Sequence, residues 1–174
     1  MKTAVLLSAL PILLFGAGCT ANPAIENVRI VPATNGSALL RACSRAAPEN
    51  ASGFFAPSPA QITAVETATA RTLRAAAADY ASYQDDTDAF AWPDDPSLYR
   101  RRYVGYVVDG RRMIYGDFKP ASFGLSADEE LMTLCDGGPK FFGVEYDLGS
   151  DSVRRIAFDG SLGGPFLPTI EPKP

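Results

Sequence analysis

The sequence predicts an α+β domain in which one amphipathic helix packs on a four-stranded antiparallel meander sheet, in two layers. Three observations point to this fold class: a capping box opens a long helical stretch, an Asp-Gly turn separates two alternating segments, and more short alternating segments follow. Sequential antiparallel strands with a helix at one end commonly form such an arrangement.

The helix begins at a capping box. Ser58 is expected to be the N-cap, Pro59 occupies the first helical position, and Gln61 reaches back to the cap. Apolar or aromatic residues then recur at spacings of three and four, namely Ile62, Val65, Leu73, Ala76, Tyr80 and Tyr83. This pattern predicts an amphipathic helix that ends near Tyr83.

The first hairpin is marked by Asp109-Gly110, a pair of residues typical of a two-residue type I′ turn. Segments Tyr99–Val108 and Arg111–Phe118 flank the turn and alternate as strands do. The turn fixes the register, so that we expect these opposite pairs: Val108 and Arg111, Tyr106 and Met113, Val104 and Tyr115, Tyr103 and Gly116, Arg102 and Asp117.

Further alternating segments follow the first hairpin. Leu131–Cys135 and Phe141–Asp147 are expected to form a second hairpin through a turn at Gly137-Gly138-Pro139. Val153–Phe158 is expected to be the last strand.

The first hairpin is apolar or aromatic on both sides, whereas a sheet covered on one side should alternate with polar residues. The helix accounts for one face. We expect the second face to be shielded either by the N-terminal segment fastened through Cys43, or by a partner or ligand. The corresponding candidate binding surface comprises Tyr103, Val107, Ile114, Phe118, Arg101 and Arg112.

The N-terminus has the order of segments of an export signal. Lys2 precedes an apolar run from Ala4 to Phe15, and small residues lead into Cys19. The run is too short to span a bilayer permanently. The sequence Gly16-Ala17-Gly18-Cys19 resembles the lipobox of bacterial prolipoproteins, although Gly16 stands where those usually have Leu. The resemblance implies that Cys19 is diacylated and becomes the first residue of the mature protein, and Thr20 after it indicates the outer membrane.

Removing the signal leaves about 155 of the 174 residues, which fits a single domain. We expect a signal peptide at 1–18, a tether at 19–36, one domain at 37–160 and a flexible Pro/Gly-rich tail at 161–174. A short patch in the tether, Val28-Arg29-Ile30-Val31, has the composition of an edge strand. Ordinary cleavage after Ala21, which would give a soluble periplasmic protein, is the alternative.

The cysteine count agrees with export. Of the three cysteines, Cys43 and Cys135 remain as a pair if Cys19 is lipidated, and disulfides persist outside the cytoplasm. We expect a Cys43–Cys135 disulfide; two buried free thiols are the alternative.

The net charge of −4 does not favour nucleic-acid binding. Membrane attachment, if any, is expected through the lipidated Cys19.

The chain contains no histidine, which excludes a Ser-His-Asp triad and imidazole zinc sites. No phosphate-binding loop, dinucleotide fingerprint or EF-hand loop is present in the sequence, and no cofactor or metal is expected. Carboxylates that could serve a hydrolase are Asp94, Asp95, Asp117 and Glu145. The acidic run from Asp85 to Asp88 could bind Ca²⁺ weakly, but a solvated loop is favoured.

Arginines are concentrated on the predicted strands, at Arg100, Arg101, Arg102, Arg111, Arg112, Arg154 and Arg155. Three or four of them on one face could bind an anionic surface such as lipopolysaccharide or an acidic partner. The interpretation we favour is that they offset the acidic loops and protect sheet edges.

Several segments together resemble small exported bacterial proteins of uncharacterised function: Arg41–Arg45, Tyr99–Gly105, Asp109–Gly116, Cys135–Gly138 and Phe142–Tyr146. The resemblance covers about residues 38–160, implies a shared fold and supports the Cys43–Cys135 pair. It assigns no catalytic residue. We therefore expect a lipid-anchored envelope protein that binds an envelope protein or glycan without catalysis; a small periplasmic inhibitor and a carboxylate hydrolase are the alternatives.

Overall fold

The computed structural model describes residues 27–41, 43–84, 92–123, 135–162 and 166–172. Their strands are β1 (Val28–Ile30), β2 (Gly53–Phe55), β3 (Tyr99–Val108), β4 (Arg111–Pro120), β5 (Phe142–Asp147) and β6 (Ser152–Phe158). Their α-helices are α1 (Gly36–Leu39), α2 (Pro59–Ala76) and α3 (Ala81–Gln84), with 3₁₀ turns at Ala33–Asn35 and Pro96–Leu98. The α+β class is confirmed, whereas the prediction of four strands and one helix is too simple.

The strands form one mixed sheet in the order β1-β3-β4-β5-β6. All pairs are antiparallel except β1 with β3, which is parallel. β2 pairs with residues 105–107 of β3, and β1 pairs with residues 101–103. Because β4 occupies the other edge of β3, both short strands lie end to end along its outer edge. The edge strand predicted in the tether is thus present, as β1.

The first hairpin has the predicted register at every pair, from Val108 opposite Arg111 to Arg102 opposite Asp117. Its turn residues Asp109 and Gly110 have φ angles of 49° and 74°. Positive φ at both positions is what a type I′ turn requires, and Asp and Gly tolerate it well. The aromatic ring of Tyr103 covers Gly116 across the strands, as expected.

The second predicted hairpin is wrong. Residues 131–134 lie outside the described residues, and Cys135 lies in a bend, not in a strand. β5 pairs with β4 along one edge and with β6 along the other, so the expected pairing of β5 with a strand at 131–135 is not formed. β4 and β5 are instead neighbours in the sheet, and β6 is present as predicted.

Helix α2 begins at the predicted capping box, with both reciprocal hydrogen bonds formed, but it ends at Ala76 and not near Tyr83. The Nε1–H of Trp92 donates to the carbonyl of Leu73 over 2.9 Å. That carbonyl would otherwise accept from the N–H of Ala77, which bonds to Arg74 instead. The indole therefore helps to end the helix. Among the described residues, no helix has the length and apolarity needed to cross a membrane.

The two faces of the sheet are covered differently. We call the side beneath α2 the helix face; there Tyr103, Ile114 and Phe118 are fully buried against Val65 and Leu73 of the helix. We call the other side the ionic face. Its apolar part, Val104, Tyr106, Met113 and Tyr115, packs against Val31, Leu39 and Leu40. The N-terminal segment therefore shields the second face, which was the first of the two expected possibilities.

The Cys43–Cys135 disulfide is present, with its Cα atoms 5.4 Å apart. Around it, the carbonyl of Ser44 accepts from Gly160 and the hydroxyl of Ser44 accepts from the N–H of Asp136. The bridge thus joins the cover of the ionic face to the segments that flank β5 and β6.

The segment predicted as a flexible tail packs on the protein where it is described. Ile170 forms a two-way backbone bridge with Ile156 of β6. Leu167 is buried in the core of the helix face, and the hydroxyl of Tyr80 donates to the carbonyl of Pro168 over 2.8 Å. Proline and glycine content alone therefore underestimated the order of this region.

Candidate functional site

The predicted binding surface is mostly inside the protein. Tyr103, Ile114 and Phe118 are fully buried under α2, and Arg101 is 2% exposed and paired with Glu66 of that helix over 2.9 Å. The remaining two members lie nearer the hairpin turn. Val107 is half-buried beside β2, and the exposed Arg112 lies 4.2 Å above the ring of Phe55. The helix covers this face, so these six residues do not form one exposed surface.

The predicted carboxylates fall into two places. Asp95 accepts hydrogen bonds from the backbone and hydroxyl of Ser97, which lower its pKa, and so caps a 3₁₀ turn with Asp94 next to it. Asp117 and Glu145 lie on neighbouring strands of the ionic face. Both of these carboxylates contact arginines, which makes the ionic face the candidate functional region.

The first cluster on the ionic face is centred on Arg45, two residues after Cys43. Its guanidinium donates to Asp117 and, over 2.8 Å, to Asp159, while its Nε donates to the hydroxyl of Tyr115 over 3.3 Å. Arg102 donates to the second oxygen of Asp117 through Nε at 3.0 Å. We call these residues, with Lys119, whose Nζ lies 4.0 Å from Asp117, the Arg45 cluster.

The two carboxyls of this cluster titrate in opposite directions. Burial alone would raise the pKa of Asp117, but Arg45, Arg102 and Lys119 together hold it below its ordinary value. Burial raises the pKa of Asp159 to about 6, and the nearby charge of Asp117 adds to this effect although Arg45 opposes it. Asp159 thus gains a proton near pH 6 while Asp117 keeps its charge.

Burial makes the Arg45 cluster better suited to holding chain segments together than to reaching a substrate. The side chains of Asp117 and Asp159 are each 4% exposed. They join the disulfide region to β4 and to the end of β6. A charge pair as enclosed as this one ties its elements in one arrangement, because a partner left alone would be desolvated without compensation.

A second cluster lies nearer the hairpin turn and is more open. Glu145 accepts from Nε of Arg155 at 2.6 Å and from the hydroxyl of Tyr106 at 2.9 Å. The Arg155 side chain keeps 29% of its surface exposed. The Glu145 carboxylate is therefore fixed by two donors, while the arginine that holds it still meets solvent.

Two open clefts meet at the Glu145–Arg155 pair. The first, of about 470 Å³, is lined by Val108, Arg111, Met113, Glu145, Arg154, Arg155, Glu171 and Pro172. The second, of about 360 Å³, is lined by Ala46, Ala47, Pro48, Glu49, Tyr106, Val108, Glu145 and Arg155. We call them together the paired clefts. Their volumes lie in the range of small-ligand sites.

The paired clefts carry both signs of charge beside apolar surface. Arg111, Arg154 and Arg155 supply guanidinium groups, and Glu49, Glu145 and Glu171 supply carboxylates. Arg111 pairs with the buried Asp147, and Arg154 is exposed. Such a lining can bind a ligand that itself has cationic and anionic groups, by charge-assisted hydrogen bonds.

The arginines of the strands have several different roles. Arg101 and Arg102 are buried in ion pairs on opposite faces. Arg112 stacks on Phe55, and Arg111, Arg154 and Arg155 line one cleft. No group of three or more metal-binding side chains is formed by the described part of the chain. The acidic run at 85–88 lies outside the described residues.

Sequence reasoning missed Arg45, Asp159 and the pairing of Glu145 with Arg155. Arg45 and Asp159 are 114 residues apart, and no local pattern joins them. Glu145 and Arg155 face each other across a β5–β6 pair that contains a register shift after Glu145. The sequence could have indicated only the pair of Glu145 and Arg155. Aligning the two strands as a hairpin would have placed these opposite charges across from each other.

The comparisons with known proteins add no assignment: no family model, no curated protein and no solved structure matches this chain.

Proposed function

We propose that this chain is an exported cell-envelope lipoprotein, anchored in the outer membrane through Cys19 and facing the periplasm, whose domain binds a ligand without chemical catalysis. The order of segments before Cys19 supports export, and the resemblance to a lipobox supports the anchor. The Cys43–Cys135 disulfide supports an oxidising compartment, because such bridges rarely persist in the cytoplasm.

The paired clefts are the observation that carries the proposed binding role. They are open and of ligand size, and the Glu145–Arg155 pair at their junction is already held in place by Tyr106. A preorganised polar group loses little conformational entropy when a ligand arrives. Binding thus needs no rearrangement of the charged side chains at the centre of the site.

The charges of the clefts favour an envelope glycan that carries peptide groups. The stem peptides of peptidoglycan have both carboxylates and ammonium groups, which complement the guanidinium and carboxylate groups of the lining. Purely anionic lipopolysaccharide would use only Arg111, Arg154 and Arg155 and would face Glu145 and Glu171 as well. We therefore place peptidoglycan before lipopolysaccharide and before a protein partner.

The anchor is tested at Cys19. The mass of the mature N-terminus is expected to show acyl chains on Cys19, which add several hundred daltons. Cys19→Ser is expected to release the protein from membranes. An unmodified N-terminus that begins after Ala21 would favour the soluble periplasmic alternative, including a small inhibitor.

The binding site is tested with purified peptidoglycan sacculi. Arg154→Glu should weaken co-sedimentation by about tenfold, which corresponds to about 1.4 kcal/mol for one charge-assisted contact. Arg112→Glu is the matched control, because Arg112 is exposed and carries the same charge but does not line the paired clefts. Equal effects of the two substitutions would indicate charge alone and contradict a site in the clefts.

A carboxylate hydrolase is the second candidate, and the Arg45 cluster favours it. Asp117 and Asp159 share one arginine while their pKa values lie on opposite sides of the ordinary value, which is a pattern of acid–base pairs. Both carboxyls are buried, however, and neither lines the paired clefts. Release of soluble fragments from sacculi, lost in Asp159→Asn, would move the enzyme to first place.

A further inference from the structure

We propose that one end of the sheet faces the bilayer and that its exposed apolar side chains rest in the membrane interface. This end, which we call the basal edge, is where β3 and β5 begin and β4 and β6 end. The inference rests on the proposed anchor at Cys19, and it adds an orientation for the domain and a contact surface that the anchor by itself does not give.

Exposed apolar side chains are concentrated at the basal edge. The large apolar residues exposed in the described part of the chain are Leu98, Phe123, Leu162, Phe166 and Ile30. The first four follow or precede strand ends at this edge, and Leu162 and Phe166 are 91% and 67% exposed. The fifth, Ile30, lies on β1.

Backbone and ring contacts bring the segments that carry these residues next to one another. Ala121 donates its N–H to the carbonyl of Leu98 over 2.9 Å, which places the start of β3 beside the chain leaving β4. The ring of Phe123 packs edge-on against Phe141, with centroids 5.2 Å apart. The backbone N–H of Asp159 donates to the carbonyl of Phe141 over 2.8 Å, which brings the end of β6 next to Phe141.

Phe166 extends the group at the end of β6, because its ring lies against Gly160. The exposed apolar side chains are thus distributed along one edge, from β3 to β6. Their concentration at one end of the sheet differs from the scattered single exposed residues that are usual on soluble proteins.

The anchoring segment arrives at the same edge. β1 runs parallel to β3, and the N–H of Arg101 donates to the carbonyl of Asn27 over 2.7 Å, just before β1. Asn27 is eight positions after Cys19, and a chain of that length spans at most about 29 Å when fully extended. An anchor at Cys19 therefore holds this end of the sheet close to the bilayer.

The opposite end is much harder to bring to the membrane. From Arg101 to Asp109, at the hairpin turn, the strand covers about 26 Å. If the hairpin turn touched the bilayer, the segment from Cys19 to Asn27 would have to be almost fully extended. If the basal edge touched the bilayer, that segment would need almost none of its length. Apolar burial in the interface then favours the second arrangement, at about 25 cal/mol per Å² of apolar area removed from water.

This orientation also directs the paired clefts away from the membrane. They are lined by Val108, Arg111 and Met113, which lie in the half of the hairpin next to its turn. A ligand in the periplasm could then enter them while the domain rests on the bilayer.

The test uses the full lipidated chain in phosphatidylcholine vesicles whose acyl chains carry bromine, a contact quencher. An environment-sensitive fluorophore is attached at Leu98→Cys, on the basal edge, or at Ser150→Cys, an exposed residue at the opposite end. We expect brominated lipid to quench the Leu98 label at least about twofold, since interfacial groups lie about 5–10 Å deep. The Ser150 label should be unaffected. Added Leu162→Ser and Phe166→Ser substitutions should reduce the quenching at Leu98.

Mass measurement before labelling separates the two proposals. With acyl chains confirmed on Cys19, equal quenching of both labels, no quenching of either, or stronger quenching at Ser150 would overturn the membrane-facing edge and leave the anchor standing. A chain without acyl groups on Cys19 would overturn both.

Discussion

The helix face and the ionic face of the sheet are both buried, but by different chemistry. The helix face is covered by one continuous helix, and its buried side chains are apolar or aromatic except for Arg101 and Thr69. The ionic face is covered by short elements and contains these buried charged residues: Arg102, Asp117, Lys119, Glu145, Asp147 and Asp159.

The difference separates the source of stability from the source of specificity. Apolar burial on the helix face contributes in proportion to area and accepts many side chains of suitable size. Buried ion pairs contribute little net free energy but are costly to break, because the remaining charge has no compensation. The ionic face therefore selects which segments meet, above all the region of Cys43 with β4 and β6. Four predictions test this division, from the largest expected effect to the smallest.

Arg45→Met should lower the free energy of unfolding by about 3–5 kcal/mol, because it leaves Asp117 and Asp159 buried without their shared cation. Denaturant unfolding at pH 7 measures the change. Combining Arg45→Met with Asp159→Asn should recover part of the loss. A loss below about 1 kcal/mol would show that the cluster is not energetically coupled and would remove the distinction between the faces.

Leu73→Ala should lower the free energy of unfolding by about 3 kcal/mol, because Leu73 is fully buried on the helix face and the substitution leaves a cavity. The loss should be the same at pH 5 and pH 7, unlike that of Arg45→Met. Leu98→Ala, at an exposed position, is the control and should change stability by less than about 0.5 kcal/mol.

Asp159 should make stability fall as pH rises between about 4 and 6. Its pKa is about 6 in the folded protein, against an ordinary value of 3.8, so the folded state binds more protons in that window. The slope is at most about 1.4 kcal/mol per pH unit. Asp117, whose pKa is lowered, acts at more acidic pH. Asp159→Asn should flatten the profile from pH 4 to 6 in a series of denaturant titrations; an unchanged slope would contradict the assignment to Asp159.

Ser58→Ala should cost about 1 kcal/mol, because Ser58 caps the helix that covers the helix face and accepts from the N–H of Gln61. Thermal unfolding followed by circular dichroism measures the change. Thr67→Ala, on the exposed side of the same helix, should be close to neutral. If both variants behave alike, the capping box does not contribute to the stability of this cover.

Local chemistry explains which elements were predicted correctly. Asp109-Gly110 can adopt positive φ at both positions, and this alone fixed the register of ten residue pairs. Ser58, Pro59 and Gln61 satisfied the first turn of α2 by themselves. The disulfide followed from counting cysteines in a chain that was expected to be exported. Each of these inferences depends on neighbouring residues or on composition.

Non-local contacts explain the errors. The indole of Trp92 takes a carbonyl of α2 from nineteen residues away and helps to end the helix early. β4 and β6 occupy both edges of β5, so the strand expected near Cys135 had no place to pair. Leu167 and Ile170 gained order from β6 and the core, although their surroundings in sequence are rich in proline and glycine.

The candidate site was accessible to sequence reasoning only in part. Asp117 and Glu145 were named as carboxylates, and Arg102 was expected opposite Asp117. The contact of Arg45 with Asp117 and the pairing of Arg155 with Glu145 were not predicted. Arg45 reaches Asp117 and Asp159 only because the disulfide, β4 and the end of β6 converge.

The sequence by itself determined the elements whose geometry is set within a few residues: the capped start of α2, the first hairpin with its register, and the cysteine pair. Tertiary structure decided which face α2 covers, how the N-terminal segment shields the other, and where the charges meet. Both faces of the first hairpin carry apolar side chains, so the local pattern does not indicate which face α2 covers and which face the N-terminal segment covers. Which segment covers which face depends on contacts between residues as far apart in sequence as Arg45 and Asp159. These contacts form only when all strands of the sheet are in place.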